Sequence, residues 1–338
     1  MKLTVATACA ASALIVGAMS GAVAAEEPIR IGLFGFSADN AFSIAAYEGL
    51  KQAAAEKGNV EIEFFDGGFD AQKQYNQVQD AVATGRFDGI LVMAMGFASI
   101  VPAVEEAIAS GIKVGSLEYA RGPDATITDR FQVDGMTTFV GYNVASIGTR
   151  LAEATVEACA DRDPCKVGLL VGSRSAAQDV PKIAAYEAVM KDHPQIETVA
   201  TLDTWWAREQ GLKATQDILQ STPDIDVITS FADQAIAGAE VALLGAGVEV
   251  GGADGVRLIG LGATTTALAG IREDRWYGTY VELPWEEGYL GGLNIISAIR
   301  GEPFEAIIDL ETRSPAGAAV ATKPLLDKVP DWSAKWDG

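Results

Sequence analysis

Residues 45–52 read AAYEGLKQ, and residues 184–191 read AAYEAVMK. The shared Ala-Ala-Tyr-Glu puts Tyr47 and Tyr186 139 positions apart. Two further pairs stand at nearly the same offset. FDGILVM from Phe87 answers IDVITSF from Ile225, and DGGFDAQKQ from Asp66 answers DTWWAREQG from Asp203. A solenoid unit is far shorter, about 20–50 residues. The repeat therefore predicts two similar domains in tandem.

Around these matches, apolar runs alternate with helical patterns. Strands are expected at Ile29–Gly35, Ile62–Phe65, Ile90–Ala94 and Val114–Leu117. Between them the apolar positions recur at helical spacing over Phe42–Lys57, Gln72–Thr84 and Ile100–Ser110. Gly58, Gly85 and Gly111 stand where those helices should stop. The pattern restarts with a strand at Val167–Val171 and a helix at Ile183–Met190. Strand and helix in strict alternation imply a parallel sheet covered on both faces, an α/β doubly wound fold.

The chain has 338 residues, more than one hydrophobic core usually serves, which agrees with two domains. Its 25 Lys and Arg face 46 Asp and Glu, a net charge of −21. A nucleic-acid binder needs the opposite sign to displace counterions from phosphates. One His and three Cys leave no cluster for a metal. No GxGxxG, GxxxxGK[ST] or GxSxG motif occurs, and His193 precedes Pro194 at a helix end, so no catalytic group is assigned. Neither a cofactor nor a metal is expected.

Residues 1–25, MKLTVATACAASALIVGAMSGAVAA, read as a secretory signal peptide rather than a membrane anchor. The run is short and rich in Ala and Gly, and no basic flank follows it. Export predicts a periplasmic location. Cys9 leaves with the signal, and CADRDPC holds Cys159 and Cys165. In an oxidising compartment a local disulfide is favoured over two free thiols.

Ligands of open α/β sheets bind outside the carboxyl ends of the strands. Two such domains facing each other would enclose a cleft. The candidate segments are Ser37–Phe42, Asp66–Asp70, Met95–Phe97, Glu118–Tyr119, Ser173–Asp179, Asp203–Trp206, Phe231–Gln234, Gly262–Thr265 and Glu282–Trp285. They are rich in aromatics and carboxylates. Aromatic faces pack on the C–H face of a sugar and also attract cations. Trp205 and Trp206, if extended, would point to opposite sides, so one core could not hold both.

IGLFGFSADNAFSIAAYEGLKQAAAEKG from Ile31, FDGILVMAMGFASIVPAVEEAIASGIKV from Phe87 and VRLIGLGATTTALAGIREDRWYGTYVELPWEEGYLGG from Val256 carry a resemblance. In this order they resemble the type I periplasmic solute-binding proteins, the ribose-binding-like branch that serves ABC transporters. The resemblance implies two Rossmann-like lobes joined by a three-segment hinge. It implies an N-terminal lobe of residues 26–134 plus 283–305 and a C-terminal lobe of residues 135–282 plus 306–338. A monomer that partners a membrane permease is expected.

The same resemblance implies ligand-binding roles for Asn40, Phe42, Glu118, Tyr119, Trp206, Asp233 and Glu282. Glu118-Tyr119 stands where the ribose binder has Asp-Arg, Ala232 where it has Asn, Gly262 where it has Asp, and Glu282 where it has Gln. Arg174, Gln178 and Asp179 compete for the place of a further Arg. The pocket should therefore not take ribose in the usual way, and another sugar or polyol, or a small amine, is expected. A weaker similarity concerns the periplasmic sensor of trimethylamine N-oxide, which partners a membrane histidine kinase. It rests on Gly67-Gly68-Phe69 followed by Gln72, Gln74 and Gln77.

Overall fold

Ile29–Gly35 (β1) forms an interior strand of the first sheet because its run IRIGLFG is apolar toward both faces, and Ile31, Leu33 and Phe34 are fully buried. A computed structural model describes residues 1, 4 and 27–338 of the chain. The proposed signal segment, residues 1–25, and Cys9 lie outside the described residues, apart from residues 1 and 4. After β1 come α1 (Ala41–Lys57), β2 (Val60–Asp66), α2 (Ala71–Thr84), β3 (Gly89–Val92), α3 (Val101–Ala109), β4 (Lys113–Glu118) and β5 (Thr138–Gly141). The chain then enters the second lobe with α4 (Val144–Ala158), β6 (Cys165–Val171), α5 (Asp179–Met190), β7 (Ile196–Asp203) and α6 (Arg208–Ser221). That lobe continues through β8 (Val227–Ser230), α7 (Asp233–Gly245), β9 (Arg257–Gly262), α8 (Thr265–Arg272) and β10 (Gly278–Val281). Finally α9 (Pro284–Arg300) and β11 (Ile307–Asp309) return to the first lobe, and β12 (Val320–Thr322) and α10 (Lys323–Leu326) to the second.

The two sheets repeat one plan. Their orders are β11-β5-β4-β3-β1-β2 and β12-β10-β9-β8-β6-β7. Every pairing is parallel except that of β12 with β10. Ile31 sits beside Gly89 across β1 and β3 as Val167 sits beside Val227 across β6 and β8. This is the structural form of the repeat in the sequence: two doubly wound α/β lobes.

The lobe boundaries expected near residues 134 and 306 need correction. Thr138–Gly141 pairs with β4, Gly115 opposite Thr138, and Ile307–Asp309 pairs with β5. Both short strands thus belong to the first sheet rather than the second lobe. Thr138, Phe139, Val140 and Gly141 are all buried, because β4 and β11 flank them. The crossings fall after Gly141, between Val281 and Pro284, and between Asp309 and Val320.

The return of α9 depends on a close helix contact. A Cβ on Gly49 of α1 would lie 1.9 Å from the Trp285 carbonyl oxygen, and one on Gly288 of α9 1.7 Å from that of Ala46. Only glycines let these backbones approach so closely. In the second lobe Cys159, at the end of α4, is bonded to Cys165, the first residue of β6, with Cα atoms 5.7 Å apart. Among the described residues no helix is long and apolar enough to cross a membrane.

Candidate functional site

The carboxyl ends of the two sheets face each other across a cavity of about 170 Å³. The first lobe supplies Phe36, Asn40, Phe42, Phe69, Met95, Glu118 and Tyr119. The second supplies Gln178, Lys182, Trp205, Trp206, Gln234 and Leu261. Glu282 enters from the second crossing and Trp336 from the segment that follows α10. Sites for drug-sized ligands usually measure about 300–1,000 Å³, so this space suits a smaller molecule.

Asn40 caps α1. Its Oδ1 accepts from the Ser43 N–H at 2.9 Å and from Ser43 Oγ at 3.1 Å, which leaves its amide nitrogen for a ligand. Phe36 stacks on Phe69 with centroids 6.3 Å apart and planes 5° from parallel. Phe42 meets Trp336 edge-on at 5.4 Å, while Trp336 Nε1 donates to the Gly262 carbonyl at 3.1 Å. Trp336 thereby joins an aromatic of the first lobe to the backbone of the second.

The Trp205-Trp206 pair departs from the expected extended form. Both residues have left-handed backbones, φ 50° and 55°, in the turn between β7 and α6. Such a conformation costs a non-glycine residue about 1–2 kcal/mol. The turn brings both indoles to the cavity instead of to opposite sides. Trp205 stays 64% exposed, open to the cleft. Trp206 lies against Gly172, where a Cβ would stand 1.9 Å from Cε2 of the indole. Phe69, its counterpart in the repeat, has the same backbone, φ 55°.

Charge around the cavity is mostly negative and mostly paired. Glu118 accepts from Arg121 Nη2 at 3.0 Å, with Arg121 buried and Glu118 nearly so. Desolvation still raises the Glu118 carboxyl above its ordinary range, with Arg121 and Lys182 opposing. Lys182 Nζ stands 3.4 Å from Asp179 Oδ1, and also 5.4 Å from the Tyr119 ring centroid and 5.7 Å from that of Phe231. Glu282 differs from these. Its residue is 5% exposed and its carboxylate has no hydrogen bond or ion pair within the protein. Burial pushes it up to about 8, against the pull of Lys182 and with the push of Glu118, Asp233 and Asp179. Behind it, Glu287 is fully buried with neither carboxyl oxygen bonded, and desolvation raises it well above its ordinary range.

Of the residues expected from sequence, Asn40, Phe42, Glu118, Tyr119, Trp206 and Glu282 meet at the cavity. Asp233 does not line it. Its Oδ1 accepts from Thr279 Oγ1 at 2.8 Å and its Oδ2 from the Thr264 N–H at 2.9 Å. Those bonds make Asp233 a brace between α7, β10 and the start of α8, and burial raises it to about 6. Among the three competitors for one place, Gln178 lines the cavity. Arg174 instead pairs with Asp203 at 3.1 Å, and Asp179 Oδ2 accepts from the Ser173 N–H at 2.9 Å. Lys182 and Trp336 were not foreseen. The signal for Lys182 was its spacing from Asp179 and Tyr186, which puts a lysine on the buried face of α5.

The glutamines tied to the sensor-like reading do other work. Gln74 is buried, donates to the Gly35 and Met93 carbonyls at 2.8 and 2.9 Å, and accepts from the Met95 N–H. Gln77 donates to the Asp66 carbonyl at 2.9 Å and Gln72 to Asn76 at 3.0 Å. None of the three lines the cavity.

Two doubly wound lobes, three crossings and a cleft walled from both sides define a two-lobed binding protein of type I. Comparison with known proteins gives the family. Residues 31–303 match the periplasmic binding protein domain, and the chain belongs to that family. The ribose import binding protein RbsB of Bacillus subtilis (strain 168) is 24% identical over 261 residues, 77% of this chain and 78% of that protein. An ABC transporter periplasmic solute-binding protein from Actinobacillus succinogenes 130z, solved with D-allose, has a TM-score of 0.74 at 19% identity and covers 89% of this chain and 99% of that one. One from Agrobacterium vitis, solved with D-fucose, has a TM-score of 0.74 at 19% identity, covering 88% and 97%. The Caulobacter myo-inositol binding protein, solved with myo-inositol, has 0.71 at 20%, covering 83% and 90%. These structural likenesses establish the fold.

Proposed function

We propose that this protein is a periplasmic solute-binding protein that captures a small sugar or polyol between its lobes and presents it to an ABC transporter permease. The observation that carries the reading is a cavity walled by aromatic rings of both lobes, Phe36, Phe42 and Phe69 against Trp205 and Trp206. Such faces pack on the C–H faces of a pyranose or cyclitol. Asn40, Gln178 and Gln234 stand among them to bond hydroxyls. Relatives whose names or titles specify ribose, allose, fucose or myo-inositol support that ligand class.

In this reading Trp206 and Phe42 hold the ligand from two sides, and Asn40, Glu118 and Glu282 fix its orientation. A ligand that touches both lobes completes its contacts only in the closed form, so binding shifts the population toward closure. The closed monomer is the form the permease reads, and the ligand leaves unchanged. The sensor reading has no support in the relatives reported above or in the placement of Gln72, Gln74 and Gln77. Titration calorimetry against monosaccharides and cyclitols tests the proposal. Heat of binding that disappears in Trp206→Ala is expected, and silence across the panel overturns it.

A further inference from the structure

We infer that the ligand is a polyhydroxy compound bearing one ammonium group, an amino sugar or aminocyclitol, and that the carboxylate of Glu282 receives that ammonium. The inference rests on the sugar reading above and narrows it. Its basis is a pairing of charges inside the cleft. Two cations and three of the buried carboxylates stand close together. Arg121 serves Glu118 at 3.0 Å, and Lys182 serves Asp179 at 3.4 Å. Glu282 is left over, more than nine-tenths buried, with no partner of its own and open to the cavity.

A lone carboxylate in such a place is costly unless something supplies its counter-charge. The lack of one is why burial makes Glu282 hold its proton up to about pH 8. A neutral hydroxyl would offer a hydrogen bond but no charge. An ammonium offers both, and a charge-assisted bond is roughly twice as strong as a neutral one. Glu287 behind Glu282 is also unbonded but does not line the cavity, so the cleft presents one unmatched carboxylate, which accommodates one cationic group and not a polyamine.

The walls make the same selection independently. Trp205, Trp206, Phe42, Phe69 and Trp336 border the space in which Glu282 ends. Their ring faces carry negative potential and attract a cation on top of packing against C–H groups. Asn40, Gln178 and Gln234 remain for the hydroxyls, which is why a simple alkylamine is a poorer fit than an amino sugar.

Calorimetry on the full-length mature protein at pH 7.5 tests this with D-glucosamine, D-galactosamine and D-mannosamine, each beside its parent sugar and its N-acetyl derivative. In at least one set the amine should bind about tenfold or more tighter than both neutral forms. E282Q, which keeps the shape but cannot give up a proton to become the ammonium's counter-charge, should cut that advantage to about twofold or less. A parent sugar that binds as tightly as its amine in every set that binds overturns the inference and leaves the sugar reading standing. Failure of these nine compounds, of an aminocyclitol beside its parent cyclitol, and of the monosaccharide and cyclitol panel above overturns both. An amine preference undiminished in E282Q overturns the role given to Glu282. The wild-type comparison within each set decides the ligand class even where the variant is unstable.

Discussion

The hydroxyl of Tyr142 accepts a hydrogen bond of 2.6 Å from the backbone N–H of Leu283. Tyr142 follows β5 at the first crossing between lobes, and Leu283 lies within the second. The third crossing is tied in through Glu311, which accepts from Ser146 Oγ at 2.7 Å, Arg150 Nε at 3.1 Å and the Tyr280 hydroxyl at 3.0 Å. Three strands of chain that could flex separately are therefore knitted into one hinge. Tyr142→Phe leaves the buried Leu283 N–H without a partner, and such a group costs about 1–3 kcal/mol. Urea denaturation should show a loss of that size. A variant as stable as wild type would show that the bond contributes nothing net.

Gly172 sets the position of one cavity wall. Gly172→Ala places a methyl 1.9 Å from the Trp206 indole, so the ring has to leave its position while the strand end stays intact. Affinity for the physiological ligand should drop about tenfold or more, equal to about 1.4 kcal/mol, with the unfolding midpoint little changed. Indole fluorescence in the unliganded variant should shift as well. Unaltered affinity would mean that the Trp206 face makes no contact worth counting.

The disulfide lies at the other end of its sheet. Cys165 begins β6, whereas the cavity collects residues beyond the strand's carboxyl end. Closing so short a loop stabilises by about 2 kcal/mol on the chain-entropy account. The double variant Cys159→Ser, Cys165→Ser should lose roughly that much in chemical denaturation and keep its ligand affinity. A changed dissociation constant would show that the clip reaches the cleft.

How far the sequence could be read follows from how local each cause is. Ile29–Gly35 and Cys165–Val171 are long apolar runs that any register would bury, and α1 and α2 of the first lobe end at Gly58 and Gly85 as capping chemistry requires. Thr138–Gly141 and Ile307–Asp309 are too short for a period to show, and they become strands only because β4 offers an edge to the first and β5 then offers one to the second. Asp233 was misplaced for a related reason. A matching residue type does not say where its oxygens point, and here Thr279 and Thr264 take them. Trp336 sits in PDWSAKWDG, which has no periodicity, and reaches the site through distant contacts, its indole N–H bonded to the Gly262 carbonyl and its own carbonyl accepting from the Thr265 N–H. Lys182 does not stand out in the sequence because lysines on helices usually face water, whereas this one lies against Asp179 and the Tyr119 ring.

The unpartnered Glu282 also fixes how stability should depend on pH. Its folded-state pKa is raised from 4.5 to about 8 by burial, so between those values the folded protein binds a proton that the unfolded chain has released. Stability then falls as pH rises, because the slope has the sign of protons bound unfolded minus folded. The contribution is complete below about pH 4.5 and gone above about pH 8. Asp233, raised from 3.8 to about 6, acts in the same direction over a lower window. One group changes stability by at most about 1.4 kcal/mol per pH unit. Urea midpoints of the ligand-free protein should therefore decline from pH 5 to pH 8. Glu282→Gln, which cannot ionise, should decline less steeply, and the gap between the two curves should open chiefly over that range. Parallel curves would show that the Glu282 carboxyl is already charged at pH 5 and that its neighbours compensate for its burial.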